Sequence, residues 1–227
     1  MLLVFAKDPR PGLVKTRMTP PLEPALAAEL YAHLLDDVLA AMANAAPACG
    51  LEPVLAVHPP EAVAVLAERA PHAFRVIAQH GPDLGARMAF AVAEAAAGGF
   101  DPILLRGSDS PALTEGTLRE AIERLSRADL VVSPDLDGGY NLVGLHSPVT
   151  GLFDHMMSTT SALEDMLAHA VRRGLRTERL AAGFDLDTVG DLAWLAAARE
   201  RGDALPCPRT LAFLDEHGLW RHVRATP

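Results

Sequence analysis

The sequence predicts an α/β domain built on a mostly parallel sheet with helices on both faces. Three observations carry this expectation. Short apolar runs of strand length alternate along the chain with longer stretches at helical spacing. Hydrophobic residues make up 50% of the chain but aromatics only 5%, and a composition led by Ala, Leu and Val suits helices packed on a sheet. At 227 residues the chain is long enough for one such domain with a sizeable core and short for two.

The elements follow in order. Leu2 to Ala6 reads as a first strand, far too short for a membrane span and without the basic leader of a targeting segment. Leu26 to Ala43 is helical, with Leu26, Leu30, Leu34 and Val38 on one stripe. Pro53 to Val57 is a second strand before Pro59-Pro60, and Glu61 to Arg69 a short helix. Phe74 to Ala78 is a third strand, and Asp83 is the expected N-cap of a helix reaching Ala97. Ile103 to Arg106 is a fourth strand. The next helix opens at Thr114, where Thr117 stands in place of the acidic or amide partner of a capping box, so the cap is expected to lack its reciprocal bond. Leu130 to Ser133 and Tyr140 to Leu145 are strands around Asp137-Gly138-Gly139. Ser161 to Arg173 is helical and stops at Gly174. A strand-like piece from Leu175 to Leu180 leads through Asp185-Leu186-Asp187 to a last helix from Thr188 or Val189. Met42 and Met166 read as core. No linker, repeat or low-complexity tract interrupts residues 1–227, so the expectation is a single domain.

Charge and motif content narrow the function. A net charge of −9 argues against nucleic acid as a partner, because phosphate neutralisation along a strand needs a basic field. Nucleotides need only a few local cations. Cys49 and Cys207 form neither a disulfide framework nor a metal-type pair, which suits a reduced cytoplasm. The nine histidines contain no H-E-x-x-H pair, so a zinc site is not expected. The sequence also lacks G-x-S-x-G, a Walker A loop and G-x-G-x-x-G.

Ligands of such sheets bind outside the carboxyl ends of the strands, and the polar clusters fall there repeatedly. After the first strand, Ala6 to Met18 holds Lys7, Arg10, Lys15 and Arg17, with Gly12 to turn the loop and Thr16 to add a donor. Lysine offers phosphate a point charge and arginine a planar fork; the competing reading is a solvated basic loop. After the fourth strand, Gly107-Ser108-Asp109-Ser110-Pro111 places a carboxylate where Mg²⁺ or Mn²⁺ would meet nucleotide phosphates. Asp109 would otherwise cap the next helix, a task Thr114 performs better. Asp185 and Asp187 alternate in an extended segment and aim the same way, as further metal ligands or with Asp187 or Thr188 as a helix cap. Asp137, Gly138, Gly139 and Tyr140 form either a tight hairpin turn or a close approach for an acceptor. Gly81 to Met88 puts Asp83 and Arg87 at a helix N-terminus, an anion site or an ordinary cap. Ser158 and Thr159 add hydroxyls for a ligand.

Taken in order, Phe5 to Arg17, Asp83 to Met88, Gly107 to Pro111, Asp137 to Leu142, Ser158-Thr159 and Asp185 to Thr188 resemble a bacterial family of GT-A-fold transferases of unassigned substrate. That family is glycosyltransferase-like and associated with radical-SAM proteins. The resemblance covers nearly the whole chain. Met157 departs from it, standing where an aromatic residue is expected before the Ser-Thr pair. The pattern is also similar to phospholactate guanylyltransferase, through Lys15-Thr16-Arg17 and Gly81 to Leu84, and more distantly to molybdenum-cofactor guanylyltransferase. The resemblance implies a GT-A-like (nucleotide-diphospho-sugar transferase) three-layer α/β/α sandwich. It implies nucleotide binding by Ala6, Lys7, Gly12, Lys15, Thr16, Arg17, Asp83, Arg87 and Ser108, with Lys15, Arg17 and Asp109 in the chemistry. Asp109, Asp185 and Asp187 would hold Mg²⁺ or Mn²⁺, and Asp137 to Tyr140 with Ser158 and Thr159 would receive the acceptor. The expected partners are a nucleoside triphosphate or nucleotide-sugar and a small-molecule acceptor, with neither nucleic acid nor membrane. A nucleotide-binding regulatory module without turnover is the alternative.

Overall fold

The computed structural model describes residues 1–223. In chain order the elements are β1 (Leu2–Lys7), α1 (Pro24–Ala48), β2 (Pro53–His58), α2 (Val63–Arg69), β3 (Arg75–Ala78), α3 (Leu84–Ala97) and β4 (Ile103–Gly107). There follow α4 (Glu115–Leu125), β5 (Leu130–Pro134), β6 (Tyr140–Leu145), α5 (Ala162–Arg172), β7 (Thr177–Arg179), α6 (Leu192–Arg201) and α7 (Pro208–Glu216). The strands form one seven-stranded sheet in the order β3-β2-β1-β4-β6-β5-β7.

Alternation along β1 explains the layering. Leu2, Val4 and Ala6 join a core with α1, α2, α4, α6 and α7, whereas Leu3 and Phe5 join a second core with α3 and α5. Both faces of the sheet are therefore covered, as runs such as LLVFA demand. Each fully buried leucine in these layers contributes about 1.5–3 kcal/mol relative to exposure. Met42 and Met166 both lie in the core.

One feature settles an alternative left open by the sequence, and two depart from its expectation. Only β6 runs antiparallel to its neighbours, because the short connection from Pro134 to Tyr140 can close a hairpin but not a parallel crossover. Thr117 does complete the cap of α4: its hydroxyl accepts the Thr114 N–H (3.3 Å), and its own N–H reaches the Thr114 hydroxyl (3.4 Å). A threonine thus substitutes for the longer partner. The chain also adds α7, whose first turn is capped from α1. Asp37, 1% exposed, accepts from the Thr210 N–H and hydroxyl (both 2.8 Å) and from the Arg209 N–H (3.2 Å). No described helix is long and apolar enough to cross a membrane.

Candidate active site

β1, β2, β3, β4, β5 and β7 all point the same way, so their carboxyl ends share one edge of the sheet. A cavity of about 250 Å³ opens there. Sheet order divides its chemistry. Lys7, His58 and Gln79 come from the β1–β2–β3 side, together with Leu84, Arg87 and Met88 of α3. Asp109, Asp135, Asp137, Asp185 and Asp187, five carboxylates in all, come from the β4–β7 side.

The acidic half is assembled by backbone as much as by side chains. Gly107 makes room for Asp109: a Cβ there would lie 2.7 Å from the Asp109 Oδ1. The Asp109 carbonyl accepts the Leu186 N–H at 3.0 Å, which draws the Asp185–Asp187 segment against the β4 loop. The Asp191 carboxylate takes the N–H groups of Asp187 (2.9 Å) and Thr188 (2.6 Å), so Asp187 is relieved of capping. As a result Asp109, Asp185 and Asp187 each present an oxygen within 4.8 Å of the others.

Lys15 occupies the centre of this group. Its backbone is left-handed (φ 48°, ψ 37°), a conformation costing a non-glycine residue on the order of 1 kcal/mol and found where surroundings enforce it. Its side chain is 5% exposed, and the ammonium donates to Asp187 Oδ1 at 2.8 Å and Asp109 Oδ2 at 3.2 Å. Burial lowers its pKa, but the charges of Asp109 and Asp187 together outweigh burial and hold it above the ordinary lysine range. Arg17 adds a contact to Asp187 Oδ2 at 3.2 Å. Burial would raise the Asp187 carboxyl, yet Lys15 and then Arg17 hold it below the usual range. Asp185 has no such partner among the described residues. Burial first, then the charges of Asp109 and Asp187, push it up to about 8. Burial likewise lifts Asp135 to about 7, although the Asn141 amide (2.5 Å) opposes the shift.

Of the residues singled out in the sequence, Ala6, Lys7, Lys15, Arg17, Arg87, Ser108, Asp109, Asp137, Gly139, Tyr140, Ser158, Thr159, Asp185 and Asp187 line the cavity. Gly12, Thr16, Asp83 and Gly138 are not among its lining residues. Gly12 turns the first loop at φ +76°. Thr16 starts a short 3-10 turn. The Asp83 carboxylate is occupied in capping α3 through the Ala86 N–H (2.8 Å). Gly138, at φ +94°, lies against the Thr160 backbone, where a Cβ would collide with the Thr160 carbonyl. Met157, at the position of an expected aromatic, lines the cavity and takes the Tyr140 hydroxyl on its sulfur (3.3 Å).

Sequence reasoning gave no role to Tyr31, His58, Gln79, Asp135 and Asn141, all in the cavity wall, although Gln79, Asp135 and Asn141 lie within the polar clusters at the strand ends. Tyr31 ties α1 to the site. Its hydroxyl accepts the Lys7 N–H at 3.0 Å and shares a 2.7 Å hydrogen bond with the Ser108 hydroxyl. The chain has only two tyrosines, Tyr31 and Tyr140, and both border the cavity; that scarcity was the available signal. Gln79 is oriented unambiguously. Its Nε2 donates to the carbonyls of Ala56 (2.8 Å) and Ala6 (3.3 Å), which leaves its Oε1 as the group offered to a ligand. Burial and the nearby Arg87 and Lys7 lower the His58 pKa.

Fold and cavity together define a three-layer α/β protein of the nucleotide-diphospho-sugar transferase fold. The chain belongs to the bacterial family described as "uncharacterized protein conserved in bacteria" (DUF2064), whose model matches residues 39–160. A solved structure from Desulfovibrio desulfuricans G20, provisionally assigned as a nucleotide-diphospho-sugar transferase, is 28% identical with a TM-score of 0.86, over 99% of this chain and 98% of that one. Two more distant structures share the fold. A nucleotidyl transferase from Methanothermobacter is 18% identical (TM-score 0.56) over 89% of this chain and 99% of its own. A cytidylyltransferase from Leptospira borgpetersenii is 12% identical (TM-score 0.57) over 100% and 98%. No curated protein matches the chain significantly.

Proposed function

We propose that the protein is a divalent-cation-dependent transferase that takes a nucleoside triphosphate or nucleotide-sugar donor and passes part of it to a small acceptor. The observation that carries this reading is the trio Asp109, Asp185 and Asp187, with oxygens mutually within 4.8 Å, facing a cavity lined also by Lys7, Lys15, Arg17 and Arg87. The trio fits Mg²⁺ or Mn²⁺: its donors are hard oxygens, and burial, then the charges of Asp109 and Asp187, push Asp185 up to about 8, a strain that a bound cation would relieve. When bound, such a cation supplies charge stabilisation to phosphate oxygens.

The chain's own residues would do the rest by positioning and neutralisation. Lys15 and Arg17 would meet the phosphates, with Lys7 and Arg87 supplying charge on the opposite wall. Gln79 Oε1 would accept from the nucleobase, against Leu84 and Met88. Asp137, Gly139, Tyr140, Ser158 and Thr159 would border the acceptor. Four cations in one cavity favour a triphosphate, and hence nucleotidyl transfer with acceptor attack at the α-phosphorus and departure of pyrophosphate. The Desulfovibrio relative supports the glycosyl variant, in which the acceptor attacks the anomeric carbon and a nucleoside diphosphate leaves.

A thermal-shift panel of nucleoside triphosphates and nucleotide-sugars, with and without Mn²⁺, tests this on wild type and Asp109→Ala. A ligand at a hundred times its dissociation constant adds about 2.7 kcal/mol of stability. The expected outcome is a Mn²⁺-dependent shift with one donor class, lost in Asp109→Ala. A shift indifferent to Mn²⁺ would support nucleotide binding without turnover, the reading favoured by Lys15 already standing between Asp109 and Asp187. No shift with any donor would sink both.

A further inference from the structure

Arg106 is out of place by composition. It lies in the central strand β4, paired in register with Val4 on one side and Leu142 on the other, and is 1% exposed. An aliphatic residue would satisfy that position, and an isolated buried guanidinium is costly. Among the described residues no carboxylate lies within ion-pair distance of it; Asp109 and Asp135 act on it only from further away. Burial lowers its pKa to about 10, which still leaves it charged at neutral pH.

Its hydrogen bonds show what the charge is used for. Nε donates to the Gly107 carbonyl and Nη2 to the Ser110 carbonyl, both at 2.8 Å. Those two carbonyls bracket Ser108 and Asp109. Within the bracket, Ser108 meets Tyr31 and the Asp109 carbonyl receives the Leu186 N–H. We infer that Arg106 is a positioning residue that clamps the Gly107–Ser110 loop from beneath, fixing Asp109 and, through Leu186, the Asp185–Asp187 segment for cation binding. A planar fork of directed donors can span two carbonyls of one turn; the point charge of a lysine cannot.

Rival roles predict a different sign. As a mere countercharge, Arg106 would repel a divalent cation, so its neutralisation would tighten binding. As a clamp, its loss would weaken binding whether or not the charge is kept. This inference rests on the cation site proposed above. The test is Mn²⁺ titration of R106K and R106M by electron paramagnetic resonance, well below each variant's melting temperature, beside wild type. The clamp predicts that both variants weaken Mn²⁺ binding by about 10–100-fold, the range typical of supporting residues around metal ligands. R106K binding like wild type, or R106M binding more tightly, would overturn the clamp and leave the cation site standing. Wild type binding no Mn²⁺ would overturn the cation site itself, and the clamp with it. Should R106M not fold, R106K decides alone, because a structural filler tolerates lysine and a fork does not.

Discussion

Lys15 shows how one side chain can hold a charged site together without a metal. Its ammonium satisfies Asp109 and Asp187 at once, and its removal leaves half-buried Asp109 without a partner beside Asp185, and Asp187 with Arg17 alone. Lys15→Met is expected to cost about 3 kcal/mol in urea unfolding of the metal-free protein, the low end for breaking a buried ion pair. Saturating Mn²⁺ should restore most of it; an unchanged unfolding midpoint would refute the account. At this scale the sequence was legible where charges came in clusters, as with Lys15 and Arg17 or Asp185 and Asp187, which all reach the cavity. It was silent on Tyr31, whose role depends on Ser108, 77 residues away, and gave no role to Gln79, a single amide whose meaning lies in the two carbonyls that orient it.

Among the elements, strands and helices were read to within a few residues because each has a two-faced or one-faced burial pattern. The hairpin before β6 was read only as one of two alternatives, and the existence of α7 was not read. A mean α/β order says nothing about one reversed strand, and α7 depends on a cap contributed by Asp37, 173 residues away from Thr210. Asp37→Ala would leave the α7 N–H groups buried without an acceptor, with an expected loss of about 2–3 kcal/mol. Asp37→Asn should lose less, since its oxygen still accepts. Far-ultraviolet circular dichroism during urea unfolding would measure both, and equal losses would contradict the capping role. Gly138→Ala is a sterner case. Positive φ and the Thr160 backbone both oppose a Cβ, so a loss above about 2 kcal/mol is expected, and a neutral substitution would show that the β5–β6 turn can move.

For the molecule as a whole, the concentration of acid at one edge couples stability to pH. Asp185 titrates near 8 and Asp135 near 7 in the folded chain, against about 3.9 when unfolded. Between those limits the folded state holds protons that the unfolded state has released, so stability falls as pH rises. His58 and His155, whose pKa values are lowered, work in the opposite sense only as pH drops below about 6.5. The metal-free melting temperature is therefore expected to decline from pH 6.5 to 8.5, and Mn²⁺ or Asp185→Asn to remove the Asp185 share of the decline while leaving that of Asp135. A flat profile without metal would contradict it.

The hydrogen bond from the Leu186 N–H to the Asp109 carbonyl has a consequence for how the protein comes into being. One carboxylate of the trio is laid down in the first half of the chain and the other two near its end. A nascent polypeptide that has already formed β1 to β4 thus owns the basic loop and Asp109 but lacks the partners that draw them into a site. On the proposed function, cation affinity would arrive late, with the docking of β7 and the segment behind it, and a molecule clipped before that segment would lack two of the three carboxylates.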